Sequence, residues 1–144
     1  MSICVLVADS SKARLFVAES GSDPLLEDRE LDHPESRLRE QDLVTDGSGS
    51  ESDSGGYGKH SMGHEGEARR QQAEIFADEI SSEIDRLRRS TDLRRIYLVA
   101  PPKFLGLLRS ALNQQCSELL AGEINKDLVN HEIDDIRSHL PRRL

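Results

Sequence analysis

DGSGSESDSGGYGKHSMGHEGEARRQQAEIFADEISSEIDRL, Asp46–Leu87, is the stretch around which the chain is organised: a glycine- and serine-rich run leading into the longest amphipathic pattern in the sequence. Six of the ten glycines fall between Gly47 and Gly63, and a seventh, Gly66, stands at the entrance to the pattern. A compact domain keeps so long an unpatterned loop only where it is functional or disordered. From Glu67 the period becomes 3.6. Ala73, Phe76, Ala77, Ile80, Ile84 and Leu87 share one stripe, opposed by Arg, Glu and Asp. Glu65 and Glu67 near its start and Arg86, Arg88 and Arg89 at its end carry the signs that the helix macrodipole favours. The expectation is a loop through Gly66 and a helix from Glu67.

Upstream, the pattern is that of strands. Ile3–Asp9 is an apolar run closed by an acid, as in a strand buried on both faces. Asp9-Ser10-Ser11-Lys12 is a turn by composition, and Ala13–Glu19 resumes as the second arm of a hairpin. After the turn Ser20–Pro24, the charged segment Leu25–Leu31 reads as a third strand at an edge. His33-Pro34 ends it, because proline cannot donate to a ladder. Downstream, Ile96–Ala100 is a second buried strand, and Pro101-Pro102 opens a helix with a Leu105, Leu108, Leu112, Cys116, Leu119 stripe that stops near Gly122. Glu123–Asn130 supplies a last strand, and Glu132–Leu140 a short closing helix.

Three antiparallel strands followed by helix–strand–helix–strand–helix describe an α/β fold. Right-handed crossovers make the last two strands parallel to the first, with helices on both faces. That is the outline of a ribonuclease H-like mixed five-stranded sheet. Residues 1–144 form a single domain, with 33–66 a long flexible loop between the third strand and the first long helix.

Bulk composition narrows the function class. The net charge of −8 argues against a general nucleic-acid binder. Cys4 and Cys116 sit in apolar contexts and read as buried free thiols of a reducing compartment. The first residues lack a positive n-region, and no apolar run is long enough to span a bilayer, so a cytoplasmic protein without membrane association is expected.

The start ICVLVADSSKARLFVAES resembles the host attachment family of small bacterial proteins, in which a strand ends in Ala-Asp and an Ala-Arg pair opens the next; here these are Ala8-Asp9 and Ala13-Arg14. FADEISSEIDRL, IYLVAPPKFLGLLRSAL and EINKDLVNHEIDDI also fit that family. The family is distantly similar to the middle domain of archaeal and eukaryotic peptide-chain release factors. In that domain a comparable loop carries a Gly-Gly-Gln triplet that helps water hydrolyse peptidyl-tRNA. In this chain Gly55-Gly56 is followed by Tyr57, and the triplet is absent. The segment 46–66 holds Asp46, Glu51, Asp53 and Glu65 against Lys59, the wrong sign for threading between RNA phosphates.

Candidate site residues fall into two groups. Gly55, Gly56, Tyr57, Lys59, His60 and His64 form the candidate functional loop. It lacks the preceding strand that a phosphate loop needs, and its histidine spacing suits a metal only within a helix. Asp9, Lys12 and Arg14 at the first turn, and Lys103 and Arg109 on the proline-started helix with Arg94 and Arg95 before it, form a candidate ligand or anion site. A two-metal nuclease would need Asp9 and Asp127 to meet Glu74 or Asp78, which no spacing demands. Neither cysteine has a neighbouring base. No catalytic residue, metal or cofactor is therefore assigned. The expectation is a non-enzymatic adaptor-like domain that binds a macromolecular partner through residues 46–66 and the first helix. The alternative is a ribosome- or tRNA-associated domain with residual ester hydrolase activity. The third strand leaves an edge that a homodimer could extend.

Overall fold

The computed structural model describes residues 2–33 and 55–144, with side chains in the long helix described from Gly66 onward. Its elements run β1 (Ser2–Ala8), β2 (Lys12–Ala18), β3 (Leu26–Asp32), α1 (Gly55–Ser90), β4 (Leu93–Ala100), α2 (Pro102–Ala111), α3 (Gln114–Glu118), β5 (Leu120–Asn125) and α4 (Ile133–Ser138). The sheet is open and ordered β3-β2-β1-β4-β5. β1 pairs antiparallel with β2 (Val5↔Phe16) and parallel with β4 (Val5↔Tyr97); β3 pairs antiparallel with β2, and β5 parallel with β4. This is the mixed, ribonuclease H-like sheet that the element order predicts.

Strand alternation divides the core in two. Cys4, Leu6, Ala8, Ala13, Leu15, Ile96, Leu98 and Ala100 face the layer of α1, α2 and α3, where Phe76, Ile80, Ile84, Phe104 and Leu108 meet them. Val5, Val7, Phe16, Tyr97 and Val99 face the other way, onto Leu128, Val129, Ile136, Leu140 and Leu144 of the C-terminal segment. Each fully buried large side chain contributes about 1.5–3 kcal/mol. β1 and most of β4 feed both layers, and these strands are accordingly the most apolar.

β4 begins at Leu93, ahead of the expected Ile96, and three further differences from the sequence expectation bear on the site. The first long helix starts at Gly55 rather than Glu67, so residues 55–66 are helical and not loop. No proline or β-branched residue interrupts 55–66, and a helix nucleated on a packed face adds one hydrogen bond for each further residue, here against the poor helix propensity of five glycines. Residues 34–54, the rest of the expected loop, lie outside the described residues. Second, the helix expected to run from Pro102 to Leu119 is broken at Leu112-Asn113. Asn113 is extended, and its side chain accepts from the Cys116 amide at 2.8 Å, capping α3. Third, the last strand begins at Leu120, placing Gly122 inside β5 and not at a helix stop. A Cβ there would come within 3.1 Å of the Tyr97 ring, so this glycine allows the strand to pass close to Tyr97. Leu128 and Val129 are buried, but they follow the strand and anchor the C-terminal segment.

Candidate functional site

The ends of β1 and β4, the start of β2 and the end of β3 meet at one edge of the sheet, and β1 and β4 lead away in opposite directions. Open α/β sheets place ligands at such a point. The Asp9 carboxylate is used locally: Oδ1 accepts from the Ser11 and Lys12 amides, both at 2.8 Å, and the Asp9 amide donates to the Lys12 carbonyl at 2.9 Å. This side chain shapes the turn. Lys12 Nζ lies 3.0 Å from Glu30 Oε1 across the β2–β3 pair.

Arg14 is a tie between distant parts of the chain. Nη1 donates to the carbonyls of Val129 (3.1 Å) and His131 (2.6 Å), Nη2 meets Glu27 Oε1 at 2.9 Å, and the guanidinium lies 5.0 Å from the Phe16 ring centroid. With these donors engaged by β3 and the C-terminal segment, Arg14 ties the two to the first hairpin.

The expected basic patch does not assemble. Arg109 makes a two-point ion pair with Glu123 on β5, with Nε to Oε2 at 2.7 Å and a second contact from Nη2 to Oε1. The hydrogen bond from Arg109 holds the Glu123 carboxyl below its ordinary range. Arg94 and Arg95 lie at the start of β4 and Lys103 beyond its end, about 25 Å apart along an eight-residue strand. Arg95 donates to the Leu144 carbonyl at 2.8 Å. Lys103 is exposed, but Pro101 and Pro102 remove amide donors from the start of α2, which weakens that helix end as an anion cradle.

Nor do the described carboxylates converge: no three His, Cys, Asp or Glu side chains among the described residues are placed to hold a metal, Asp9, Glu74, Asp78 and Asp127 included. Both cysteines are buried. Desolvation pushes the Cys4 thiol up to about 12 and raises that of Cys116, with the Asp85 carboxylate adding to it, so burial disfavours the thiolate at both.

What the structure assembles instead is a clasp where β3 ends and α1 passes over the sheet. His33 is buried, stacked on Phe76 at 5.1 Å between ring centroids, with Nε2 2.9 Å from Gln72 Oε1 and Nδ1 3.9 Å from Glu79. In the sequence His33 reads only as the end of the third strand, and its adjacency to Pro34 gives no sign of burial. N-terminal to Gln72, α1 changes character. Gly66, Glu67, Arg69, Arg70 and Gln71 are exposed, Ala68 is half-buried, and the first buried residue is Ala73. Gly55, Gly56, Tyr57, Lys59, His60 and His64 lie on the helical backbone beyond, so the two histidines are four apart in a helix; their side chains lie outside the described residues. From Gly55 to Gln72 the helix extends about 26 Å. Among the described residues, no helix is long and apolar enough to cross a membrane.

Residues 4–140 match the model of the family described as "Protein required for attachment to host cells". No curated protein matches the sequence. Among solved structures, the chain is similar to an archaeal translation termination factor, aRF1, with a TM-score of 0.50 and 12% identity, over 87% of this chain and 30% of that one. A second structure, described as an archaeal protein, has a TM-score of 0.51 and 11% identity over 96% of this chain and 36% of that one. The chain thus spans about a third of the length of each, and at this identity the likeness is one of fold.

Proposed function

The chain belongs to the family of proteins required for attachment to host cells, and from that premise we propose that it is a non-enzymatic adaptor that engages a macromolecular partner through the N-terminal arm of α1 and the segment before it. One observation carries the reading: a helix runs past its last packed residue into an arm whose described side chains are exposed almost all round. A helix face without a partner inside its own domain is suited to one outside it. The sheet edge supports this by subtraction. Among the described residues, Asp9, Arg14 and Arg109 are each engaged by turn, main-chain or ion-pair partners and do not converge on one point.

The test is to break the arm without touching the body. Ala68→Pro disrupts the helix N-terminal to Ala73 while leaving the core intact. The tagged variant and the parent chain are compared for the macromolecules they retain from the native cell. The expected outcome is unchanged thermal stability with loss of the retained partner; retention of the same partner by the variant sinks the proposal.

A second reading, association with ribosomes or tRNA, is favoured by the fold likeness to the termination factor. Sedimentation separates the two. Co-migration with ribosomes at moderate salt, together with release of an amino acid from aminoacyl-tRNA, supports the second reading. A protein that stays at the top of the gradient counts against it.

A further inference from the structure

Edge strand β3 has two unlike halves, divided where its register against β2 shifts between Leu15 and Phe16 and leaves Asp28 as the extra residue. Beyond the bulge the side chains are spoken for: Arg29 pairs with Glu83 of α1 at 3.1 Å, Glu30 with Lys12 at 3.0 Å, and Asp32 is engaged as well. Before it lies a groove of about 560 Å³, walled by Val17, Pro24 and Leu26 and rimmed by Glu19, Asp23 and Asp28. Leu26 is 68% exposed, the most exposed large apolar side chain among the described residues. Glu27 turns to Arg14, but Glu19, Asp23 and Asp28 form no salt bridge with a cation among the described residues.

We propose that this open half of β3 receives an extended, basic segment of a partner protein as a sixth strand. The outward amide and carbonyl groups of the edge supply the main-chain pairing, an apolar side chain of the segment covers Leu26, and its Lys or Arg side chains meet Glu19, Asp23 and Asp28. A second copy of this chain is the wrong occupant for β3-to-β3 pairing. β3 carries Glu27, Asp28, Glu30 and Asp32 against Arg29, so laying two copies edge to edge sets carboxylates opposite carboxylates. The groove is also distinct from the α1 arm. It lies at the Leu26 end of β3, about 20 Å of strand from His33 and its contact with Gln72. The inference stands or falls independently of the function proposed for the arm, and together the two surfaces would let one small domain bridge two partners.

The experiment titrates the full chain into a fluorescein-labelled heptapeptide of alternating Lys and Val, read by anisotropy. An alternating Glu and Val peptide, and a Lys-Val peptide methylated on alternate backbone nitrogens, serve as controls. The expected result is saturable binding of the Lys-Val peptide alone. Asp23→Lys/Asp28→Lys and Leu26→Ser should each weaken it at least about tenfold. Glu132→Lys/Asp134→Lys, the same charge change on the exposed start of α4, should shift it less than about twofold. Asp23, Leu26 and Asp28 are all exposed, and thermal melts check that the variants remain folded; should Leu26→Ser unfold, the charge-reversal pair decides. Equal weakening by the α4 variant would reduce the effect to general attraction by an acidic protein and overturn the proposal. Equal binding of the methylated peptide would overturn strand addition. A dimer in light scattering that Leu26→Ser disperses would make a second copy the occupant and overturn it as well.

Discussion

The two parts of α1 are one continuous helix held by different forces. From Ala73 to Leu87 the helix buries Ala73, Phe76, Ala77, Ile80, Ile84 and Leu87 against the sheet, and Ser81 Oγ donates to the Ala111 carbonyl at 2.8 Å. Tertiary burial holds that half. From Gly55 to Gly66 the same helix contains Gly55, Gly56, Gly58, Gly63 and Gly66, each about 1 kcal/mol poorer than alanine in a helix interior. Helix propensity therefore favours the packed half over this one. One continuous helix need not be held by the same force along its whole length.

Breaking the packed half should have the largest effect. Phe76 is fully buried and stacks on His33 and Phe104, so Phe76→Ala should cost about 3–5 kcal/mol in chemical denaturation. Because His33 loses its platform, exchange of the Gln72 region should accelerate more than the global loss alone explains. An effect under about 1 kcal/mol would mean that the helix is not held where the core puts it.

The arm should respond in the opposite direction and on a smaller scale. A Cβ at Gly66 meets nothing within 4 Å, so Gly66→Ala should stabilise the local helix by about 1 kcal/mol. Hydrogen exchange should slow around residue 66 with no change in the global melting temperature. A global shift of several degrees would show that the arm is coupled to the core and that the contrast between the two halves is false.

Acid should sharpen the comparison most gently. The Asp85 carboxyl, near the packed end of α1, is held below its ordinary value first by a hydrogen bond from Asn113 and then by Arg88. A depressed carboxyl contributes stability that is present above its unfolded pKa and is lost as pH falls through its folded value. Stability should therefore drop below about pH 4, and Asp85→Asn should flatten that part of the profile. An unchanged acid limb in the variant would remove Asp85 from the account.

The strands and the helix stripe were legible because burial leaves a local periodic trace. Ile3–Ala8 had to be doubly buried, and Phe76, Ile80 and Ile84 had to share a face. The candidate site was not legible in the same way. Asp9, Lys12, Arg14 and Lys103 lie near strand ends and Arg109 on the helix that follows one, so in the sequence they read as a cluster, but the roles of the two arginines depend on partners far along the chain. Arg14 reaches a carbonyl 117 residues away, and Arg109 a carboxylate 14 residues away on another element. The break at Asn113 has a local signal in the sequence. Asn is a strong cap, but an apolar stripe running through Leu112 and Cys116 concealed it.

By itself the sequence determined the order of the five strands and the place of the long helix, the apolar positions that become the two core layers and, through right-handed crossover geometry, the mixed sheet. Those features rest on hydrophobic period and chain chirality, which act over a few residues at a time. Tertiary structure alone decided that α1 begins at Gly55, that His33 is buried against Phe76, and that Arg14 and Arg109 tie separate elements together. Among the described residues it also left a groove along the first half of β3. The physical reason is that a helix can be propagated by a face packed elsewhere, and a charge is satisfied by whichever partner the fold brings within about 3 Å.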